Sequence, residues 1–168
     1  SKRKGLDRSF IQSLYDCNWV KEGLNMILTG PTGIGKSYLI CAFAHRACFM
    51  GYNVRYFRAT KLFGELKLAS ADGRYLKLMK TLARQHLLII DDWGLTRLND
   101  QAQSDLSEIL EVRYGLHSTI IAGQIPVEHW HDVIGNPTIA DAILDRIVHN
   151  AYHIHLDGDT MRKKKAKS

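Results

Sequence analysis

The sequence predicts an α/β fold in which a parallel five-stranded sheet is covered by helices on both faces. Segments patterned as strands and as helices alternate along most of the 168-residue chain, and this order implies right-handed crossovers between parallel strands. A continuous apolar run, Leu87-Leu88-Ile89-Ile90, is typical of a strand that is buried on both sheet faces. The length allows one well-packed domain.

Five short runs rich in apolar and β-branched residues are the predicted strands. In chain order they span residues 25–29, 54–58, 87–91, 118–122 and 152–156. The first run meets a glycine-rich turn, and the third ends at two adjacent aspartates. Ligands of open α/β sheets bind at the carboxyl ends of the strands, so these two ends predict the position of a site.

Segments with helical periodicity separate the strands, at residues 36–50, 60–69, 74–84, 100–115, 127–134 and 139–150. Thr60 and Asp100 are placed to cap the starts of two of these helices, and Gly115 suits a helix end. The turn signal Ala71-Asp72-Gly73 separates the second helix from the third.

We expect residues 1–160 to form one domain, with 1–24 as a lead-in segment and 161–168 as a basic, disordered tail. The net charge of +6 favours acidic partners such as nucleic acid. No apolar run approaches the roughly 20 residues that span a bilayer, and no signal peptide is recognisable. We therefore expect a cytoplasmic protein without membrane contact; the missing initiator Met suggests a chain trimmed of an upstream domain.

Cysteine and histidine usage argues against disulfides and against a transition-metal site. Three cysteines cannot form a fully paired framework, which favours a reducing compartment. Cys41 and Cys48 are seven residues apart in a helical pattern, the spacing of two core positions. Two close histidine pairs late in the chain have no Cys or carboxylate at zinc-site spacing.

A glycine-rich segment between the first strand and the following helix carries the strongest functional signal. It reads Gly30-Pro31-Thr32-Gly33-Ile34-Gly35-Lys36-Ser37 and matches G-x-x-x-x-G-K-[ST], the Walker A or P-loop motif. The glycines let backbone N–H groups surround the β-phosphate of ATP, and the helix N-terminus adds positive charge. We expect Lys36 to reach the β- and γ-phosphates and Ser37 to ligate Mg²⁺, with Tyr38 completing the nucleotide-binding segment.

The third strand supplies the second half of the predicted site. Asp91 follows four apolar residues at the carboxyl end of this strand, where it is placed to hold Mg²⁺ through water as a Walker B aspartate does. Asp92 is placed to polarise an attacking water, which favours hydrolysis; a helix or turn cap is the alternative. Many proteins of this architecture carry Glu here. Because Asp is one methylene shorter, the water has to sit closer or the backbone has to shift.

Five separated motifs extend over nearly the whole chain. They are GLDRS from residue 5, GPTGIGKS from residue 30, LLIIDDWG at 87–94, RYGLHSTIIAGQIPVEHW at 113–130 and ADAILDRIVHNAYHIHL at 140–156. Together they resemble the IstB-type ATPases, AAA+ helper proteins of bacterial insertion-sequence transposition that are related to DnaC helicase loaders. The resemblance implies a three-layer P-loop NTPase (AAA+) fold with strand order 5-1-4-3-2. It also implies ATP-dependent self-assembly on DNA and a transposase partner, which the protein assists in target DNA selection.

The resemblance further implies roles for three residues outside the two nucleotide motifs. Gln124 matches the polar sensor I position, which bonds the γ-phosphate or the attacking water. Arg146 matches the arginine finger that reaches a neighbouring subunit's ATP; from the residues alone it is a surface arginine paired with Asp145 or Asp141. Arg162 falls at a sensor II position, although the chain ends soon after it and the small helical lid is expected to be absent or minimal.

A basic segment between the second and third strands is the predicted DNA-binding surface. The residues assigned to it are Lys67, Arg74, Lys77, Lys80 and Arg84. The last four recur at helical spacing and share one helix face, which can follow a phosphate backbone. The alternative is a solvated amphipathic helix with Leu76, Met79 and Leu82 packing inward. Contacts to phosphates predict weak sequence preference and strong salt dependence.

Other functions and other roles remain open at this point. A DnaC-type loader would share the ATPase site and bind a replicative helicase. A small-molecule kinase shares the P-loop but needs an Arg-rich lid, and no insertion between strands supplies one. A non-hydrolysing, ATP-switched assembly protein is expected if Asp92 is too short to act. Lead-in residues such as Phe10 and Trp19 either pack beside the adenine or cover the sheet edge.

Overall fold

The computed structural model describes residues 8–33 and 35–157. Several predictions fall outside these ranges: the role of Ile34 in the loop, the sensor role of Arg162, and the boundary and tail beyond residue 157. Within the described ranges no helix has the length and apolar character that crossing a membrane requires.

The observed elements follow the predicted order. The first half consists of α1 (Arg8–Ser13), a 3-10 turn (Leu14–Asp16), α2 (Asn18–Lys21), β1 (Asn25–Thr29), α3 (Lys36–Phe49), β2 (Val54–Arg58), α4 (Ala59–Asp72), α5 (Tyr75–Arg84) and β3 (Leu87–Trp93). The second half consists of α6 (Asp100–Arg113), β4 (Ser118–Gly123), a 3-10 turn (Val127–His129), α7 (Trp130–Ile134), α8 (Pro137–Val148) and β5 (Ala151–His155).

The five strands form one sheet in the order β2-β3-β4-β1-β5, and neighbouring strands are parallel. This is the predicted order 5-1-4-3-2 read from the other edge, and the prediction is confirmed. β3 lies between β2 and β4, which explains why its side chains are apolar in an unbroken run.

Two cores form on opposite faces of the sheet, because successive side chains of a strand point to opposite sides. In β3, Leu88 and Ile90 pack against α4–α8, whereas Leu87 and Ile89 pack against α3 and the lead-in segment. All four side chains are fully buried. The result is the three-layer arrangement that the sequence predicts.

The lead-in segment covers the second of these cores. Trp19 is only 2% exposed and meets the ring of Phe43 on α3 edge-on, at 6.1 Å between centroids. Phe10 contacts Tyr152 of the edge strand β5 at 5.7 Å. Covering the sheet, one of the two roles expected for this segment, is therefore observed, and the role beside the adenine stays a prediction.

Two of the predicted helix caps are wrong. The side chain of Asn99, and not that of Asp100, accepts the N–H of Ala102 at 2.8 Å and caps α6, because Asn99 has the extended backbone of an N-cap. Thr60 is already the second residue of α4, since β2 passes directly into this helix. α6 ends at Arg113, before Gly115.

Two predictions of inward packing are also wrong. Cys41 and Cys48 are exposed. The buried face of α3 consists instead of Leu39, Ile40, Phe43 and Ala47. On α5, Met79 and Leu82 are buried as predicted, but Leu76 is 73% exposed because it borders the polar face of the helix. A seven-residue or three-residue spacing defines a helix face without defining which face is buried.

A buried arginine joins three elements at the amino end of the sheet. Arg113 is 1% exposed, and its guanidinium donates to the carbonyl oxygens of Leu82, Gln85 and Ser118 at 2.7, 2.6 and 2.5 Å. It also donates to the hydroxyl of Thr119 at 3.0 Å. Burial lowers the pKa of Arg113 to about 10, so the side chain stays protonated at pH 7. These bonds tie the end of α5 and the end of α6 to the start of β4.

We predict that Arg113→Met lowers the free energy of unfolding by about 2–4 kcal/mol, because the substitution leaves buried carbonyl groups without donors. Urea unfolding followed by circular dichroism measures this. Arg84→Met removes an exposed arginine at the end of α5 and serves as the matched control, with an expected loss below about 0.5 kcal/mol. Equal losses for the two variants would contradict the structural role of Arg113.

Candidate functional site

A cavity of about 220 Å³ lies at the carboxyl edge of the sheet, where β1, β3 and β4 end. Its lining residues come from the P-loop, from the end of β3 with the loop that follows, and from the end of β4. They are Thr32, Gly33, Gly35, Lys36, Ser37, Asp91, Asp92, Trp93, Leu95, Gly123 and Gln124. The fold thus brings both predicted nucleotide motifs and the predicted sensor Gln124 to one place.

The P-loop backbone has the conformation that its glycines permit. Gly33 and Gly35 have φ values of 76° and 103°, in the region that side chains disfavour. Gly35 directly precedes α3, so the positive end of this helix faces the cavity that Gly35 lines. The neighbouring Tyr38, predicted to complete the binding segment, is on the first turn of α3 with an exposed ring.

The ammonium group of Lys36 is held by the loop itself. It donates to the carbonyl oxygens of Gly30 at 2.5 Å and Pro31 at 2.8 Å. Burial lowers the pKa of Lys36, and the negative charges of Asp91 and Asp92 oppose this effect. A cation with nearby acidic groups and a helix N-terminus is the charge arrangement that suits a phosphate chain with a divalent cation.

Asp91 is buried at the end of β3, and both of its carboxylate oxygens accept hydrogen bonds. Asp91 is 7% exposed. The hydroxyl of Tyr56 donates to Oδ2 at 2.6 Å, and the backbone N–H of Asp92 donates to Oδ1 at 2.8 Å. Burial raises the pKa of Tyr56, and the hydrogen bond to Asp91 raises it further. The phenol therefore stays protonated at neutral pH and donates this hydrogen bond.

A β-bulge sets the position of Asp92. Ile90 pairs with Ile121 of β4, and Trp93 pairs with Gly123, so two residues of β3 lie opposite one residue of β4. Asp92 has φ 54°, a left-handed conformation that Asp tolerates better than most residues. The bulge thus displaces the backbone at Asp92 from the path of a regular strand.

The carboxylate of Asp92 forms an ion pair with the neighbouring strand. Nε of Arg58, the last residue of β2, lies 3.0 Å from Oδ2 of Asp92. Both side chains are substantially exposed, so water screens this pair. Sequence reasoning missed Tyr56 and Arg58. Their signal was the predicted strand order, which places the end of β2 beside the two aspartates.

The oxygen donors in the cavity fit a magnesium ion with a nucleotide. Ser37 and Asp91 both line the cavity and carry hard oxygen donors, the type that Mg²⁺ prefers. No cluster of three or more metal-ligating side chains occurs in residues 8–33 and 35–157. Mg²⁺ in nucleotide sites needs no such cage, because phosphates and waters complete its shell.

Arg146 does not line this cavity and is paired within its own chain. Its guanidinium contacts Glu111 through Nε at 2.6 Å and through a terminal nitrogen at 3.3 Å. It also contacts Asp145 at 3.2 Å and lies over the ring of Tyr114, 4.9 Å from the centroid. The pairing with Asp145 is as predicted, whereas Asp141 contacts His131 instead.

The basic residues predicted to bind DNA lie in three places. Lys77, Lys80 and Arg84 are exposed along one face of α5, as predicted. Arg74 precedes the helix and is tied to Asp72 by an ion pair of 2.8 Å, so its charge is partly neutralised. Lys67 is exposed on α4 and lines a separate cavity of about 340 Å³ with Asp105. Tyr75, within the basic segment, donates to Asp105 at 2.6 Å and is anchored in the protein.

Solved structures of similar shape come from DNA replication proteins. The DnaC helicase loader superposes with a TM-score of 0.74 at 23% identity, over 93% of this chain and 92% of that one. The replication initiator DnaA, bound to AMPPCP and single-stranded DNA, superposes with a TM-score of 0.78 at 20% identity, over 99% of this chain and 52% of that one. At such identities the likeness concerns the fold, and it identifies the predicted three-layer P-loop fold of AAA+ proteins.

Sequence comparison is more specific. An insertion sequence ATP-binding protein of Sinorhizobium fredii, y4pL, is 52% identical over 160 residues, which are 95% of this chain. The chain spans 65% of the length of that relative, just under two thirds. All 168 residues match the family described as IstB-like ATP binding protein, and the chain belongs to that family.

Proposed function

We propose that this chain binds ATP with Mg²⁺, hydrolyses it in an assembly of several copies on DNA, and assists a transposase in selecting its target. The observation that carries the proposal is the single cavity that joins Lys36, Asp91, Asp92 and Gln124. Family membership and the insertion-sequence relatives support the link to transposition. The bacterial cytoplasm is the proposed location.

In the proposed mechanism, nucleotide binding exchanges internal contacts for contacts to phosphates. Lys36 leaves the carbonyl oxygens of Gly30 and Pro31 and contacts the β- and γ-phosphates. Backbone N–H groups of the loop surround the phosphate chain. Ser37 and, through water, Asp91 hold the Mg²⁺, which supplies charge neutralisation at the phosphates.

The chemical step depends on a carboxylate and a polar sensor. Asp92 orients the attacking water and accepts its proton, and its bulged backbone places the carboxylate in the cavity wall. Arg58 contacts one oxygen of Asp92 in an exposed ion pair that water screens, so this oxygen is readily released to the attacking water. Gln124, after the end of β4, lines the same cavity and hydrogen-bonds the water or the γ-phosphate.

Arg146 acts on the nucleotide of a neighbouring copy. Its position on α8, outside its own chain's nucleotide cavity, supports a role in trans. The contacts to Glu111 and Tyr114 keep the guanidinium at the surface until a neighbouring subunit provides the phosphate charge. An isolated subunit should therefore hydrolyse ATP slowly, and assembly should control turnover.

The partner is a transposase, and DNA is contacted mainly through phosphates. The exposed basic residues on α5 support contact with a phosphate backbone. The fold likeness to the DnaC loader favours one second candidate, the loading of a replicative helicase. Co-sedimentation of the ATP-bound protein with purified transposase or with purified replicative helicase separates the two.

We predict that the ATPase rate per subunit rises with protein concentration and rises further with duplex DNA. Arg146→Ala should keep binding of a fluorescent ATP analogue and lose the concentration-dependent rise, by about 10³-fold at saturation, since fingers in trans have effects of this order. Arg55→Ala, an exposed arginine on β2, is the control. A low ATPase rate that does not depend on protein concentration or on DNA would contradict the proposed assembly. A wild-type rate in Arg146→Ala would contradict the proposed arginine finger.

We predict that Asp92→Asn lowers the steady-state rate of phosphate release by about 10²–10⁴-fold while the affinity for ATP changes less than twofold. Asn is the appropriate replacement because it tolerates the left-handed backbone and removes only the charge. Lys36→Ala, by contrast, should lose ATP binding itself. If Asp92→Asn hydrolyses ATP as fast as the wild type, another group is the base.

We predict that Lys77→Ala/Lys80→Ala weakens DNA binding and reduces the slope of log affinity against log salt by about 2, because each lost phosphate contact removes roughly 0.9. Fluorescence anisotropy with duplexes of two unrelated sequences measures this and should give similar losses. Lys21→Ala/Arg55→Ala removes the same charge elsewhere and should leave the slope nearly unchanged. Equal slopes for both double variants would remove α5 from the DNA surface.

A further inference from the structure

The carboxylate of Asp91 is fixed from two sides by groups of its own chain. The backbone N–H of Asp92 engages Oδ1 at 2.8 Å, and the hydroxyl of Tyr56 engages Oδ2 at 2.6 Å. With one oxygen held from each side, the carboxylate cannot rotate without losing a hydrogen bond. A carboxylate offers about four acceptor positions, so two donors leave capacity toward the cavity.

The position of Tyr56 is not explained by core packing. The residue is 50% exposed, whereas the next residue along β2, Phe57, is buried in the core. The register pairs Tyr56 with Ile89 and Arg58 with Asp91, so the phenol extends along the sheet toward the carboxyl edge to reach the aspartate. A large, half-exposed side chain with its hydroxyl on a buried carboxylate points to a role at that carboxylate.

A second tyrosine–aspartate pair in the chain provides an internal comparison. Tyr75 donates to Oδ1 of Asp105 at the same 2.6 Å distance. Asp105 also lies in a buried position, but it lines a different cavity from the nucleotide motifs. Any general effect of losing such a bond on stability should therefore appear in both pairs, whereas an effect on the nucleotide site should appear in only one.

We propose that Tyr56 is a positioning residue for magnesium binding. Its hydroxyl holds the plane of the Asp91 carboxylate, so that the remaining lone pairs of the carboxylate face the water shell of the metal. The inference rests on the proposed binding of ATP with Mg²⁺. Mg²⁺ demands nearly ideal octahedral geometry, whereas Ca²⁺ accepts irregular and variable coordination. A loss of carboxylate orientation must therefore raise the Mg²⁺ requirement more than the Ca²⁺ requirement.

The test is the divalent-ion dependence of nucleotide binding by Tyr56→Phe, which removes only the hydroxyl. Binding of a fluorescent ATP analogue is titrated with Mg²⁺ or with Ca²⁺, and no hydrolysis is needed. We expect the half-saturating Mg²⁺ concentration to rise about tenfold, the size of one lost hydrogen bond to a charged group, and that of Ca²⁺ to rise less than about twofold. Tyr75→Phe should leave both values unchanged. Thermal unfolding of the two variants reports any shared effect on stability.

The inference is overturned, and the proposed function is not, by a wild-type Mg²⁺ requirement in Tyr56→Phe or by equal shifts for Mg²⁺ and Ca²⁺. An equal rise in the Mg²⁺ requirement for Tyr75→Phe also overturns it, because the effect would then be general. If the wild-type protein binds the nucleotide without any dependence on a divalent ion, the proposed function fails together with the inference. The wild-type titration thus separates the two failures.

Discussion

The close approach of β3 to β4 at the carboxyl edge is the constraint on which the site depends. A side chain at Gly123 would drive its Cβ into the carbonyl oxygen of Trp93, so only glycine allows the two backbones to meet there. The bulge in β3 lies directly before this contact and accommodates the extra residue. The bulge displays two adjacent aspartates at the same cavity, although adjacent residues of a regular strand point to opposite faces. The position of both carboxylates therefore follows from one glycine and one irregularity.

The charged groups around this edge are already paired within the chain. Lys36 is bonded to loop carbonyls, Asp91 to Tyr56, and Asp92 to Arg58. An unpaired charge in a partly buried site is costly, so a fold that has to be stable without nucleotide needs such partners. Nucleotide binding then becomes an exchange of partners. Pairs at the surface, such as that of Asp92, exchange more easily than buried ones because water screens them.

Stability and chemistry are assigned to opposite ends of the sheet. At the amino end, Arg113 and Asn25 satisfy buried backbone groups: Asn25 accepts the N–H of Thr119 at 2.9 Å and donates to the carbonyl oxygen of Arg146 at 3.3 Å. The carboxyl end instead leaves its polar groups facing a cavity. The backbone of Arg146 is thus anchored through α8 to β1, while its side chain remains at the surface. Ligand exchange is therefore expected at the carboxyl end, where polar groups face the cavity, and away from the bonds that hold the layers together.

The sequence by itself determined the parallel sheet, its layers and the two nucleotide motifs, whereas the strand order was expected only from the resemblance to IstB-type ATPases. Unbroken apolar runs and alternating elements leave few parallel arrangements, and the P-loop spacing is the one that lets backbone N–H groups surround a phosphate. It did not determine that Leu76 is exposed or that Asn99 rather than Asp100 caps α6, since spacing and residue type fit both alternatives. Only the tertiary structure decided that Tyr56 and Arg58 contact the two aspartates and that Glu111 contacts Arg146. Tyr56 precedes Asp91 by 35 residues and Glu111 precedes Arg146 by 35 residues, and such contacts depend on strand register and helix packing, which no local pattern encodes.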